Sequence, residues 1–364
     1  MMKTAYSNRI LSVLAATIGL TLHVAAQGAP AVSNVSGAVN HGNSITVSGS
    51  GFGSHSAYNN ISGDWKGSKY LNFRFKDFED GQMNSNGFYP QKGGGLWSVA
   101  ASELGVLSGG PKNSTKYLKR AYVTDEPGGV SADVSGAGNQ LYTTFKFYMA
   151  ANTQSGKFFR FYGDAPQNNV YLSSGCTNYM VRGYSECTSG SCSGVATEWG
   201  SGPQLTPGQW HRVEVWADGS KSNFSVAVDG VAAWQKSNWL NSSLLMNGHT
   251  LDYPNMLDAS SRDAACPAVG SYGFDDIFVD FTQARVEIGD APTWSASRKK
   301  EVQIPSSWTD SAVTVRVNSG EFTAGQSVYL YVVDSSGAVN SQGLPIKIGG
   351  SSVSPKAPAS VIAN

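Results

Sequence analysis

Asp276 and Asp280, with Asp275 beside them, are the carboxylates closest to the pair that glycoside hydrolysis needs. In a strand Asp276, Phe278 and Asp280 share one face and Ile277, Val279 and Phe281 the other. Residues four apart along a strand stand roughly 13 Å apart, beyond the roughly 5–9.5 Å of glycosidase carboxylates. The three aspartates therefore read as structural, or as calcium ligands at a strand end, and no cofactor beyond such a structural Ca2+ is implied. In Lys157-Phe-Phe-Arg-Phe-Tyr162, alternation sets Arg160 and Tyr162 on one face. An arginine that neutralises a uronate and a tyrosine that removes its C5 proton would suit β-elimination, and an ordinary sheet surface would look the same. His211 is the third catalytic candidate. It alternates with Val213 and Val215, opposite Trp210, Arg212, Glu214 and Trp216, which sets it at the rim of a core as a packed residue or a base. No two histidines have metal-ligand spacing, and no Gly-x-Ser-x-Gly elbow is present.

Recognition chemistry is better supplied. Sugars stack their apolar faces on aromatic rings and satisfy their hydroxyls with amides, hydroxyls and arginine. Residues 162–200 hold Tyr162, Tyr171, Asn178, Tyr179, Arg182, Tyr184 and Trp199 in a segment with no clear strands, longer than packing requires. Folding of the same aromatics into a satellite core is the competing arrangement. Trp234 and Trp239 form a second, weaker patch. Cys176, Cys187, Cys192 and Cys266 read as two disulfides in any of three pairings; a zinc site is disfavoured by the Cys187-x4-Cys192 spacing and by the lack of a nearby histidine.

The 364 residues carry 26 basic and 26 acidic side chains, with no Lys/Arg block, which argues against a nucleic-acid partner. Lys3 and Arg9 precede an apolar run to Ala26 that ends Val24-Ala25-Ala26, the pattern of a cleavable leader over residues 1–26. No later stretch is apolar enough to span a bilayer. The expectation is a secreted protein, extracellular or at the cell surface, with the periplasm as the other destination.

The positioning elements read as strands throughout: Ser44–Val47, Thr143–Tyr148, Lys157–Tyr162, Val213–Trp216, Phe224–Val228, Ile277–Phe281, Arg285–Ile288, Val313–Val317 and Val328–Val333. Asp229-Gly230 signals a two-residue hairpin. Brief helices are expected only around Trp97–Leu104 and Trp239–Met246. The fold class is all-β.

Gly42-Asn-Ser-Ile-Thr-Val-Ser-Gly-Ser-Gly-Phe-Gly53 resembles the opening of an IPT/TIG immunoglobulin-like domain. Ile304-Pro-Ser-Ser-Trp-Thr-Asp-Ser-Ala-Val-Thr-Val315, then Val328-Tyr-Leu-Tyr-Val-Val-Asp334 and Ser335-Ser-Gly337, resemble its later strands. Between them, Leu141–Tyr148, Lys157–Tyr162, Gln209–Trp216, the Phe224–Trp234 hairpin and Phe274–Asp280 resemble the concanavalin A-like lectin/glucanase jelly roll. The resemblance implies a jelly-roll sandwich at 68–294 inserted in an immunoglobulin-like sandwich whose halves are 29–58 and 295–349; the patternless Ser/Pro/Ala segment at 350–364 reads as a disordered tail. On that jelly roll the aromatic and amide side chains of 162–200 point to a polysaccharide or cell-surface glycan as partner. The glucanase Glu-x-Asp-x-Glu strand and the lyase signature strands are missing, so binding is favoured over a lyase or hydrolase, with a purely adhesive protein as a further alternative.

Overall fold

The structure, a computed structural model, describes residues 28–55, 73–90, 104–121, 129–134, 140–151, 153, 156–163, 168–174, 180–187, 194–221, 223–237, 249–253 and 270–350. The expected leader, the expected tail beyond Gly350, Cys176, Cys192, Cys266, Asn178, Tyr179 and the segment around Trp239 lie outside them, as does the Trp97 segment up to Leu104.

Two strands come first, β1 (Ala31–Ser36) and β2 (Ser44–Ser50). Then follow β3 (Phe73–Lys76), β4 (Phe88–Pro90), β5 (Leu104–Ser108), β6 (Lys116–Ala121), β7 (Val130–Asp133) and β8 (Gln140–Met149). Next come β9 (Gly156–Gly163), β10 (Asn168–Ser174), β11 (Arg182–Cys187), β12 (Gly194–Trp199) and β13 (Trp210–Asp218). After these are β14 (Asn223–Val228), β15 (Val231–Lys236), β16 (His249–Tyr253) and β17 (Ser271–Asp280). The last five are β18 (Arg285–Gly289), β19 (Lys300–Trp308), β20 (Ala312–Arg316), β21 (Ser327–Val333) and β22 (Leu344–Lys347).

The two ends of the described chain build one small sandwich, with strand order β1-β2-β20-β19-β18-β21-β22. β2 lies antiparallel to β20, with Val47 opposite Val313 and Thr46 opposite Thr314. Alternate residues of these strands, including Val35, Val47, Val286, Val315 and Val332, fill a core closed by Phe52 and Trp308. Arg285–Gly289 falls within the span the sequence suggests for the larger unit, yet β18 pairs with β19 and β21. The chain therefore leaves the larger sandwich near Asp280, whose carboxylate accepts hydrogen bonds from the Thr282 amide and hydroxyl and sets the turn.

The larger sandwich has a front sheet, β15-β14-β13-β8-β17-β6-β5 with β3 added to β17, and a back sheet, β12-β11-β10-β9-β16-β7-β4. Period-2 alternation decides which side chains lie between them. On β8, Leu141, Phe145, Phe147 and Met149 point inward, where Phe147 stacks on Phe158 at 4.5 Å and Phe145 on Phe159 at 5.9 Å. Asp229 and Gly230 both have positive φ, the two-residue turn that matches strand twist between β14 and β15. Residues 162–200, expected to be a long loop, instead contribute β10, β11 and β12. Their ladders satisfy the backbone of a Ser-, Asn- and Gly-rich stretch that has little intrinsic strand preference.

The units join on the outward face of the front sheet, where Phe75, Tyr142 and Phe278 meet Val302 of β19. Buried ion pairs flank this seam: Arg212 with Glu287 at 2.7 Å and Lys146 with Glu301 at 2.8 Å.

Candidate functional site

The small sandwich covers the front sheet only in part. Along β8 the outward residues are Tyr142, Thr144, Lys146 and Tyr148; the first three are buried and Tyr148 is half-buried. Six residues span roughly 20 Å of strand, so the Tyr148 end projects past the seam. Register places Tyr148 between Trp210 of β13 and Gly273 of β17, with Lys119 of β6 beyond. The Trp210 and Tyr148 rings lie 5.4 Å apart at 43°. Tyr117 meets Trp210 edge-on at 5.6 Å and 89°. A side chain at 273 would stand between them: a Cβ there would come within 3.0 Å of Trp210 and 3.1 Å of Tyr117. Three half-buried aromatics thus form a platform over a glycine floor. Burial, then the neighbouring Tyr148, raise the Tyr117 pKa, so its hydroxyl stays protonated and can donate.

Beside the platform is a cleft of about 280 Å³ whose wall includes Trp210, Gln209, Arg298, Lys299, Lys300 and Glu321. His211 closes its base. Nδ1 lies 2.7 Å from Asp229 Oδ2 and Nε2 lies 3.1 Å from the Thr206 carbonyl oxygen, so both ring nitrogens are engaged. Burial opposes the imidazolium, but the hydrogen bond and charge of Asp229 outweigh it and raise the His211 pKa. A charged imidazole donating both protons is a brace for the β14–β15 turn rather than a free base. The expected inward phase of His211 with Val213 and Val215 agrees with its position opposite Phe147.

The other catalytic candidates lie elsewhere. Arg160 and Tyr162 belong to β9 of the back sheet, so the sandwich core separates them from His211. Arg160 is buried; its position faces Tyr171 on β10 and Asp252 on β16. Tyr171 in turn faces Tyr184 on β11, and Arg182 faces Trp199 on β12. The back-sheet register thus gathers Arg160, Tyr171 and Tyr184 into one row of positions, while Cys187 ends β11.

The three aspartates go to separate partners. Asp280 Oδ2 meets His55 Nε2 at 2.8 Å, and Asp276 Oδ2 accepts from Asn318 Nδ2 at 3.1 Å. Asp275 Oδ1 accepts from the Asp276 amide. Asp276 has φ +47 in a bulge between Asp275 and Phe278, which breaks the simple alternation expected through 276–280. Among the described residues no three His, Cys, Asp or Glu side chains group as a metal site. Burial, then Glu301, raise the Asp276 pKa to about 7.

Neither Tyr117 nor Tyr148 is signalled as a site residue in the sequence, and Trp210 reads there as a strand residue opposite His211 and as part of the jelly-roll-like stretch Gln209–Trp216. A usable signal was Gly273, a lone glycine inside the aromatic strand Tyr272–Phe274, which marks a place where something approaches the sheet closely.

No protein-family model and no curated protein matches the chain. Solved structures resembling it include domain 4 of AbnA, an extracellular GH43 arabinanase from Geobacillus stearothermophilus in complex with arabinotriose, at 12% identity, TM-score 0.37, covering 57% of this chain and 90% of that one. The alginate lyase Aly36B matches at 12% identity and TM-score 0.38, over 58% of this chain and 97% of that one. A Bacteroides ovatus GH16 protein from a mixed-linkage glucan PUL, in complex with product, matches at 11% identity and TM-score 0.36, over 53% and 94%. Likeness at this level identifies neither a family nor an activity.

Proposed function

We propose that the protein is a glycan-binding protein that works outside the cell, with the Tyr117–Trp210–Tyr148 platform as its contact surface. The observation that carries the reading is three aromatic rings held half-open over Gly273 beside a polar cleft. Such rings offer apolar faces to a sugar, while Gln209, Arg298 and Lys299 stand ready for its hydroxyls. The small sandwich then serves as a support that leaves this end of the sheet open. Catalysis at the platform would need a base and an acid, and His211 has both nitrogens committed.

The test is a polysaccharide panel scored for retention and for product release on one sample, with Trp210→Ala alongside. Retention without release, weakened in Trp210→Ala by about 1.5–3 kcal/mol, the cost of losing a large buried aromatic, supports the reading. Retention unaltered in that variant overturns the platform.

A second reading, a polysaccharide lyase, is favoured by the buried Arg160 two residues from Tyr162 in the middle of the back sheet. It requires unsaturated products from a uronic-acid polymer and their loss in Tyr162→Phe.

A further inference from the structure

Lys300 opens β19 against the Asp229-Gly230 turn, its Nζ 3.0 Å from where a Cβ at Gly230 would stand, and it borders two clefts. One is the cleft beside the platform. The other, about 260 Å³, runs along the seam between the sandwiches. Trp216, Ser225 and Gln235 of the front sheet line one side of it, and Gln283 and Trp294 the other.

Lys300 is only 5% exposed, and among the described residues its ammonium forms no hydrogen bond and no ion pair. Its one close partner is the face of Trp294, 4.5 Å from Nζ to the ring centroid. The cations around it are already matched. Arg212 takes Glu287 and Glu214, and Arg285 takes Glu287 through Nε. Two arginines thus satisfy two carboxylates, and Lys300 is left as a third cation without a counter-charge. Burial holds its pKa below the usual lysine value despite the attraction of Glu214 and Glu287. Its side chain is buried, but the ammonium opens into a cleft with a half-buried tryptophan and two side-chain amides, where an acceptor from outside the chain would satisfy it.

We infer that the seam cleft is a subsite for an acidic sugar, whose carboxylate pairs with Lys300 while its ring lies against Trp216 and its hydroxyls reach Gln235 and Gln283. The volume is near the lower end, roughly 300 Å³, of ligand clefts, which suits a terminal unit rather than an extended chain. This inference rests on the glycan-binding reading and adds the charge class of the ligand.

The test uses the full chain and calorimetric titration with tri-galacturonate, its carboxyl-reduced neutral counterpart, and glutarate as a plain carboxylate. The acidic trisaccharide is expected to bind at least tenfold more tightly than the neutral one, with glutarate failing to compete at equal concentration. Lys300→Met, checked for its fold by circular dichroism, should abolish the preference for the acid. Equal binding of the two trisaccharides overturns the inference and leaves the glycan-binding reading standing. No binding of either also overturns it, and the polysaccharide panel then decides the glycan-binding reading on its own. Competition by glutarate at parity also overturns it, since a bare anion site would then account for Lys300. The comparison of ligands on the unaltered chain decides the matter even if the variant does not fold.

Discussion

Tyr117 and Trp210 meet edge to face, 5.6 Å apart and 89° between planes, across a position where the intervening strand has no side chain. Their approach depends on Gly273. Valine at 273 would put methyl groups where the rings now lie, so Gly273→Val is expected to splay the pair and reduce glycan affinity about tenfold or more. That is the scale of a 1.4 kcal/mol loss. Retention assays with near-ultraviolet circular dichroism check it, and unchanged affinity would detach the platform from binding.

His211 and Asp229 make a pH-dependent brace. The folded pKa of His211 is raised, so the stability it contributes is full below the unfolded value near 6.5 and is lost as pH rises through the folded value. Asp229→Asn should therefore lower the Tm at pH 6 and leave it nearly unchanged at pH 9. Thermal unfolding at the two pH values tests this, and an equal drop at both would show that charge is not the cause.

Asp276 has the opposite chemistry. Burial, then Glu301, raise its carboxyl to about 7, with Asn318 and Lys146 working against the rise. An acid whose folded pKa exceeds the unfolded value favours the folded state more as pH falls through it. Asp276→Asn keeps the shape and tolerates the φ of +47. It should raise the Tm at pH 8.5 and change little at pH 5.5, by about 2–4 °C for each kcal/mol recovered.

Glu287 is held in place by two arginines. Burial alone would raise its carboxyl, yet Arg212 and Arg285 bring it down to about 2. Glu287→Gln leaves both guanidinium groups short of charge in a buried seam, which costs about 3–5 kcal/mol. Urea unfolding at neutral pH measures it. A loss below about 1 kcal/mol, the scale of an exposed pair, would mean that water reaches the seam.

Strands with strong alternation were legible before any coordinates: Leu141–Tyr148, Val213–Trp216 and Phe224–Val228 carry β-branched and aromatic residues at period 2. β2 pairs with β20, and two strands alone are too few to stand. Asn168–Ser174 and Arg182–Cys187 were not legible, since polar residues with weak strand preference gain their order from neighbouring ladders. The platform was least legible. Its row Lys119, Gly273, Tyr148 and Trp210 comes from four strands, and the register that aligns them leaves no mark in any one segment.

The small sandwich takes strands from both ends of the described chain, with Thr46 and Thr314 joined across 268 residues of sequence. A pull applied at β1 and β22 is therefore carried entirely by that sandwich's own ladders. The larger sandwich hangs from it as a side loop, entered after β2 and left before β18. Tension cannot reach the Tyr117–Trp210 platform until the small sandwich has torn open. The fold thus places the small sandwich in series with any load between its two ends and the larger one in parallel, outside the direct line of force.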